Sequence, residues 1–151
     1  MQLLIAEHKG KPARQGRALF DAVISQADFI TLHCPLSEET RNLISRREFE
    51  LMKTTAYLIN TARGEVVNEA DLLHSLATGR TAGAAIDVLR EEPPTHDNPL
   101  LQYQQANLIV TPHIAWASRE SRQRLLDQLA GNIHNFFQHK PFNQVQVAPI
   151  K

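Results

Sequence analysis

Apolar residues follow two rhythms along this chain. Short, nearly continuous apolar runs occupy residues 3–6 (Leu-Leu-Ile-Ala), 29–33 (Phe-Ile-Thr-Leu-His), 56–60 (Ala-Tyr-Leu-Ile-Asn), 84–88 (Ala-Ala-Ile-Asp-Val) and 107–111 (Asn-Leu-Ile-Val-Thr). Runs of this length, bounded by turn residues, predict strands buried in a parallel sheet. Between them, apolar positions recur every three or four residues. Residues 18–26 predict a short helix with Leu19, Phe20, Val23 and Ile24 inward. Ser37 and the acids after it predict a brief helix over 37–44. Ser45 with Glu48 forms a capping box opening a helix that carries Phe49 and Met52. Asn68 caps a helix over 69–78, with Leu72, Leu73 and Leu76 inward and Gly79 as its stop. The longest amphipathic stretch, 118–138, places Leu125, Leu126, Leu129, Ile133, Phe136 and Phe137 on one face. After Pro141 a short tail alternates Val145 and Val147 with polar residues. Strand and helix alternate throughout, so the expected fold class is α/β, a doubly wound parallel sheet flanked by helices.

The 151 residues suffice for one domain with a real core. Sixteen basic side chains balance sixteen acidic ones, which argues against nucleic acid or an anionic membrane as partner. No apolar run approaches the roughly 18 residues a spanning helix needs. The single cysteine, Cys34, suits a reducing compartment, and the expected localisation is cytoplasmic. No paired His and Cys spacing predicts a metal site.

Chemistry gathers where the strands end. In an open parallel sheet ligands bind outside the carboxyl ends of the strands. Arg63 follows the 56–60 strand beside Gly64, Glu92 follows the 84–88 strand ahead of two prolines, and His113 follows the 107–111 strand after Pro112. A guanidinium there can grip a carboxylate by two parallel hydrogen bonds, or be a surface arginine in a turn. Glu92 reads as an active carboxylate or a solvated acid, with Glu91 as its decoy. His113, next to a carboxylate and an apolar run, reads as a general acid or a core histidine. Asp87 lies inside an apolar strand, where a lone carboxylate is costly and calls for a ligand or a donor. Glu7 ends the first run, a position suited to a ribose diol. Cys34, with no cationic neighbour in sequence, reads as packing.

Several stretches together resemble the D-isomer-specific 2-hydroxyacid dehydrogenases. They are His33-Cys34-Pro35-Leu36, Glu39-Thr40-Arg41-Asn42-Leu43-Ile44, Leu58-Ile-Asn-Thr-Ala-Arg-Gly64, Gly83-Ala-Ala-Ile-Asp-Val88, Glu92-Pro93-Pro94 and Thr111-Pro-His-Ile-Ala-Trp-Ala-Ser118. The last is most similar to the glycerate dehydrogenase and hydroxypyruvate reductase branch. The resemblance implies an NAD-dependent oxidoreductase of D-2-hydroxy acids, reducing 2-oxo acids such as hydroxypyruvate or glyoxylate, and a homodimer. It implies that Arg63 holds the substrate carboxylate, that His113 donates the proton, and that Glu92 keeps His113 protonated. Asp87 would bind the nicotinamide carboxamide. Glu7 would take the adenosine ribose and repel a 2′-phosphate, favouring NAD(H), with His8 and Lys9 beside it softening that preference. Cys34, Pro35, Thr40, Thr61 and Ala62 would wall the cofactor cleft, which His113 also borders.

One departure from the family pattern stands out. Members carry a G-x-G-x-x-G turn before the strand that ends in the ribose acid, and no G-x-G occurs among the six glycines here. The expectation is therefore a carboxy-terminal part of the cofactor domain over 1–140, with 118–138 its long helix and 141–151 a tail. The first strand and the substrate domain would be missing. The first strand is central in the doubly wound order, so its absence would leave two strand edges unpaired. Such a chain would be inactive or nearly so alone. The alternatives are a dinucleotide-sensing, corepressor-like binding protein and an inert truncated product.

Overall fold

Four parallel strands form one sheet in the order β1-β2-β3-β4: β1 (Phe29–Leu32), β2 (Tyr57–Asn60), β3 (Gly83–Ile86) and β4 (Leu108–Val110). This computed structural model describes residues 1–145. Phe29 pairs with Tyr57 and Tyr57 with Gly83, while Ala85 pairs with Ile109. Helix α1 (Phe20–Gln26) precedes β1, α2 (Arg46–Leu51) lies between β1 and β2, and α3 (Glu69–Ala77) between β2 and β3, with the single turn α4 (Pro99–Gln102) before β4.

Alternation along each strand decides what is buried. Ile30, Leu32, Leu58, Ala84 and Ile86 face one core together with Phe20 and Ile24 of α1, Phe49 of α2, and Leu72 and Leu76 of α3. On the other face Phe29 stacks on Tyr57 with ring centroids 5.5 Å apart, and both stay exposed, as does Ile109. Gly83 makes room for this stack: a β-carbon there would meet the Tyr57 ring at 2.9 Å.

Local signals place the helices well. The Glu48 carboxylate accepts from the Ser45 N–H (3.1 Å) and hydroxyl (2.9 Å) at the start of α2. Asn68 accepts from the Asp71 N–H (3.1 Å) at the start of α3, and Gly79 takes a positive φ of 68° past its end. Two expectations fail. Residues 37–44 make turns, not a helix, because Asn42 and Ile44 donate to the carbonyls of Glu65 and Val66 instead of continuing a local ladder. Residues 3–6 form no strand of the sheet; a single parallel bridge joins Ala6 to Ala18, and Leu3 and Ile5 are exposed. A strand needs a neighbour to pair with, and among the described residues none of the four strands pairs with this run.

The described chain divides into two compact units, the first being Met1–Ile114. The second begins at Ala115 and holds α5 (Arg119–Phe137), whose first turn is capped by Ser118 accepting from the Ser121 N–H (3.1 Å). Its apolar stripe forms as expected, yet none of its residues is buried. The chain after α5 folds back so that the Phe142 ring lies against Gly131, and Asn143 bonds to Asn132 at 3.1 Å. Val145 is exposed, and Val147, the second half of the expected alternation, lies outside the described residues.

Candidate active site

Three loops leave the carboxyl ends of β2, β3 and β4, the first and the third shaped by buried polar side chains. In the first, Asn60 is fully buried; its Oδ1 accepts from the Ala62 N–H (3.0 Å) and its Nδ2 donates to the Arg63 carbonyl (2.9 Å). This folds the chain into a tight turn with the Arg63 side chain outward, its Nη1 donating to the Ala62 carbonyl at 2.6 Å. Arg63, Thr61 and Ala62 face His33, Cys34, Pro35 and Leu36 across a cleft of about 540 Å³. Thr40 stands behind this wall: its hydroxyl donates to the Pro35 carbonyl (2.6 Å) and accepts from the Ser37 N–H (2.8 Å). Burial pushes the Cys34 thiol above its ordinary pKa, so it stays protonated and packs.

In the third loop, Asp87 holds the turn that presents His113. Its Oδ1 accepts from the Thr111 hydroxyl (2.5 Å) and the Ile114 N–H (2.9 Å), and the His113 N–H donates to the Asp87 carbonyl (2.9 Å). His113 is thereby held at a positive φ of 52°. Its Nδ1 lies 2.7 Å from Glu92 Oε2, while Glu92 Oε1 accepts from the Leu89 N–H at 2.8 Å. Burial raises the Glu92 pKa, but the Leu89 N–H and His113 outweigh it and hold the carboxyl below its ordinary range. Glu92 is therefore ionised at neutral pH and accepts a hydrogen bond from Nδ1–H of His113.

Gly64 joins the first and second loops. A β-carbon on it would sit 2.0 Å from the Leu89 carbonyl carbon and 2.4 Å from the Arg90 nitrogen. Only a glycine lets the Arg63 turn press on the segment whose Leu89 N–H holds Glu92. Sequence reading passed over both Asn60 and Gly64 as parts of the site. The signal that singles out Asp87, a polar side chain within an apolar strand, is present at Asn60 as well.

Glu7 stands apart from both groups. It is buried, and its carboxylate accepts from Arg14 Nε (2.6 Å), Arg14 Nη2 (2.7 Å) and the His8 N–H (2.9 Å). The Arg14 bonds foremost, then the His8 N–H, bring its pKa down to about 2. The expected bare acid at this strand end is thus a closed ion pair. Among the described residues no cluster of His, Cys, Asp and Glu could hold a metal ion, and no helix is long and apolar enough to cross a membrane.

Residues 1–115 match the family described as D-isomer specific 2-hydroxyacid dehydrogenase, NAD binding domain. The chain belongs to that family. Glycerate dehydrogenase of Methylorubrum extorquens is 46% identical over 133 residues, covering 88% of this chain and 42% of its own. Hydroxypyruvate reductase of Blautia hydrogenotrophica is 42% identical over 125 residues, covering 83% of this chain and 38% of its own. Among solved structures, an acyclic imino acid reductase in complex with NADPH and D-Arg aligns with a TM-score of 0.81 at 31% identity. It covers 95% of this chain and 46% of its own. The chain thus spans less than half the length of the relatives it matches. The family expects a dinucleotide, and the residues fit one. The cleft at the ends of β1 and β2 has a ligand-sized volume, and the buried Asn60 shapes the loop on one side of it.

Proposed function

We propose that this chain forms the cofactor-binding and acid-base side of an oxidoreductase that interconverts D-2-hydroxy acids and 2-oxo acids. The substrates suggested by the relatives' names and by the sequence are hydroxypyruvate and glyoxylate. The Glu92–His113 pair carries the reading, a carboxylate and an imidazole 2.7 Å apart at the ends of adjacent strands. The Gly64–Leu89 approach couples this pair to the Arg63 loop.

In this reading Arg63 grips the substrate carboxylate through its guanidinium fork and polarises the 2-oxo group. Glu92 accepts a hydrogen bond from Nδ1–H and fixes the ring, so Nε2 is the nitrogen that gives its proton to the carbonyl oxygen. When bound, NAD supplies the hydride chemistry at the substrate carbon. Cys34, Pro35, Thr61 and Ala62 wall the cleft that receives it, with Thr40 bracing Pro35. Asp87 serves the carboxamide end beside His113, and Glu7 the adenosine end. The cofactor domain spans residues 1–140 with α5 included, followed by a tail, and it works as a homodimer in the cytoplasm. The 151 residues contain no glycine-rich turn to take the pyrophosphate, so turnover by these residues alone is expected to be slight or nil.

Hydroxypyruvate titrated against the His113 imidazole resonances tests the site without requiring turnover. A saturable shift that weakens at least tenfold in Arg63→Gln supports the reading. Resonances that ignore hydroxypyruvate, or respond equally in the variant, would sink it.

A further inference from the structure

We infer that the Glu7–Arg14 pair makes the adenosine end of this chain a site for a 2′-phosphorylated nucleotide as well as a plain one, with Arg14 the residue that decides. The inference rests on the dinucleotide reading above and sharpens the class of ligand. An acid at a strand end repels a 2′-phosphate only while it presents bare negative charge. Here the Glu7 side chain is 2% exposed while that of Arg14, which covers it, is 66% exposed. The accessible charge at this strand end is therefore positive.

Arg14 has donors in reserve. A guanidinium carries five N–H groups in a rigid fork. Two of them go to Glu7, at Nε and Nη2. Three remain for an anion, and planar recognition of phosphate is what that fork does well.

The surroundings lean the same way. Residues 8–17 contain Lys9, Lys11, Arg14 and Arg17 and no acid. The acids that face this loop are engaged with it: Glu7 with Arg14, Glu48 with Lys9 at 2.8 Å, and Glu39 near His8 at 3.9 Å. Arg17 fixes the strand end by donating to the Ala6 carbonyl (2.9 Å). Of two solved structures that each align over 95% of this chain, one at 31% identity was determined with NADPH, a 2′-phosphorylated dinucleotide, and one at 25% identity with NAD.

The test compares adenosine 2′,5′-bisphosphate with 5′-AMP by NMR titration of the 151-residue chain, a method that reads weak binding and needs no turnover. The expected result is bisphosphate binding tighter than, or within threefold of, AMP. Arg14→Gln should then weaken the bisphosphate at least tenfold and change AMP by less than threefold. Because Arg14→Gln leaves Glu7 buried without its partner, the double variant E7Q/R14Q, which removes both charges, should also lose at least tenfold in bisphosphate affinity relative to AMP, a ratio in which any change at the shared ribose contact cancels. Bisphosphate binding more than threefold weaker than AMP overturns the inference, as does a bisphosphate affinity that both variants leave within threefold. If neither nucleotide binds, the adenosine-site reading beneath it falls, a failure distinct from AMP binding alone.

Discussion

The backbone of Gly64 lies so close to Leu89 that a β-carbon on the glycine would be 2.2 Å from the Leu89 carbonyl oxygen. That approach locks the Arg63 turn to the segment whose next polar link is Leu89 N–H to Glu92.

Gly64→Ala must push these two loops apart, because the obstacle is backbone with no rotamer to change. Overpacking of this kind costs about 1–3 kcal/mol. Urea denaturation should report that loss. Hydroxypyruvate binding should weaken more than the stability loss alone explains, since Arg63 moves away from His113. An alanine variant of unchanged stability would show that the loops are not locked.

Glu92→Gln keeps the shape of the side chain and removes its charge. The amide still reaches His113 Nδ1, but as an uncharged and weaker acceptor. With NADH and hydroxypyruvate, in any form of the enzyme that turns over, the rate should fall toward the roughly 10²–10⁴-fold that general acid catalysis contributes. His113→Gln should cost the same or more. An unchanged rate in Glu92→Gln would remove Glu92 from the acid's control.

Asp87→Ala takes away the acceptor for the Thr111 hydroxyl and the Ile114 N–H. Hydrogen bonds to a charged group contribute about 1.5–3 kcal/mol each. The Ile114 amide should therefore exchange with solvent much faster, and the His113 ring should lose its fixed shift. NADH binding, followed by fluorescence, should weaken in the same variant. Unchanged exchange at Ile114 would mean that other groups hold the turn.

The Glu7 carboxyl has a folded pKa of about 2 against an ordinary 4.5. A depressed carboxyl stabilises the fold above its ordinary pKa and loses that contribution as pH falls toward the folded value. Urea midpoints should therefore drop between about pH 4.5 and pH 2 in the parent, and drop less in E7Q/R14Q. Equal slopes in the two proteins would show that the pair is not formed in solution.

Sequence alone determined the elements whose hydrogen bonds are local. Ser45 with Glu48 and Asn68 with Asp71 close their own helix ends, and the stripe from Leu125 to Phe137 makes α5 whatever surrounds it. It also singled out the proposed Arg63, Glu92 and His113, because each sits just past a strand that reads clearly as apolar. Tertiary structure decided whatever needs a partner far along the chain. Residues 3–6 have strand composition but form only the Ala6–Ala18 bridge, since a strand is satisfied by its neighbour and not by itself. Residues 37–44 gave up a helix when Asn42 and Ile44 met the carbonyls of Glu65 and Val66. Glu7 reads in sequence as an acid placed for a ribose diol, yet Arg14, seven residues on, closes over it. Gly64 became indispensable only when Leu89 arrived beside it, 25 positions later, because steric exclusion acts between neighbours in space whatever their separation in sequence.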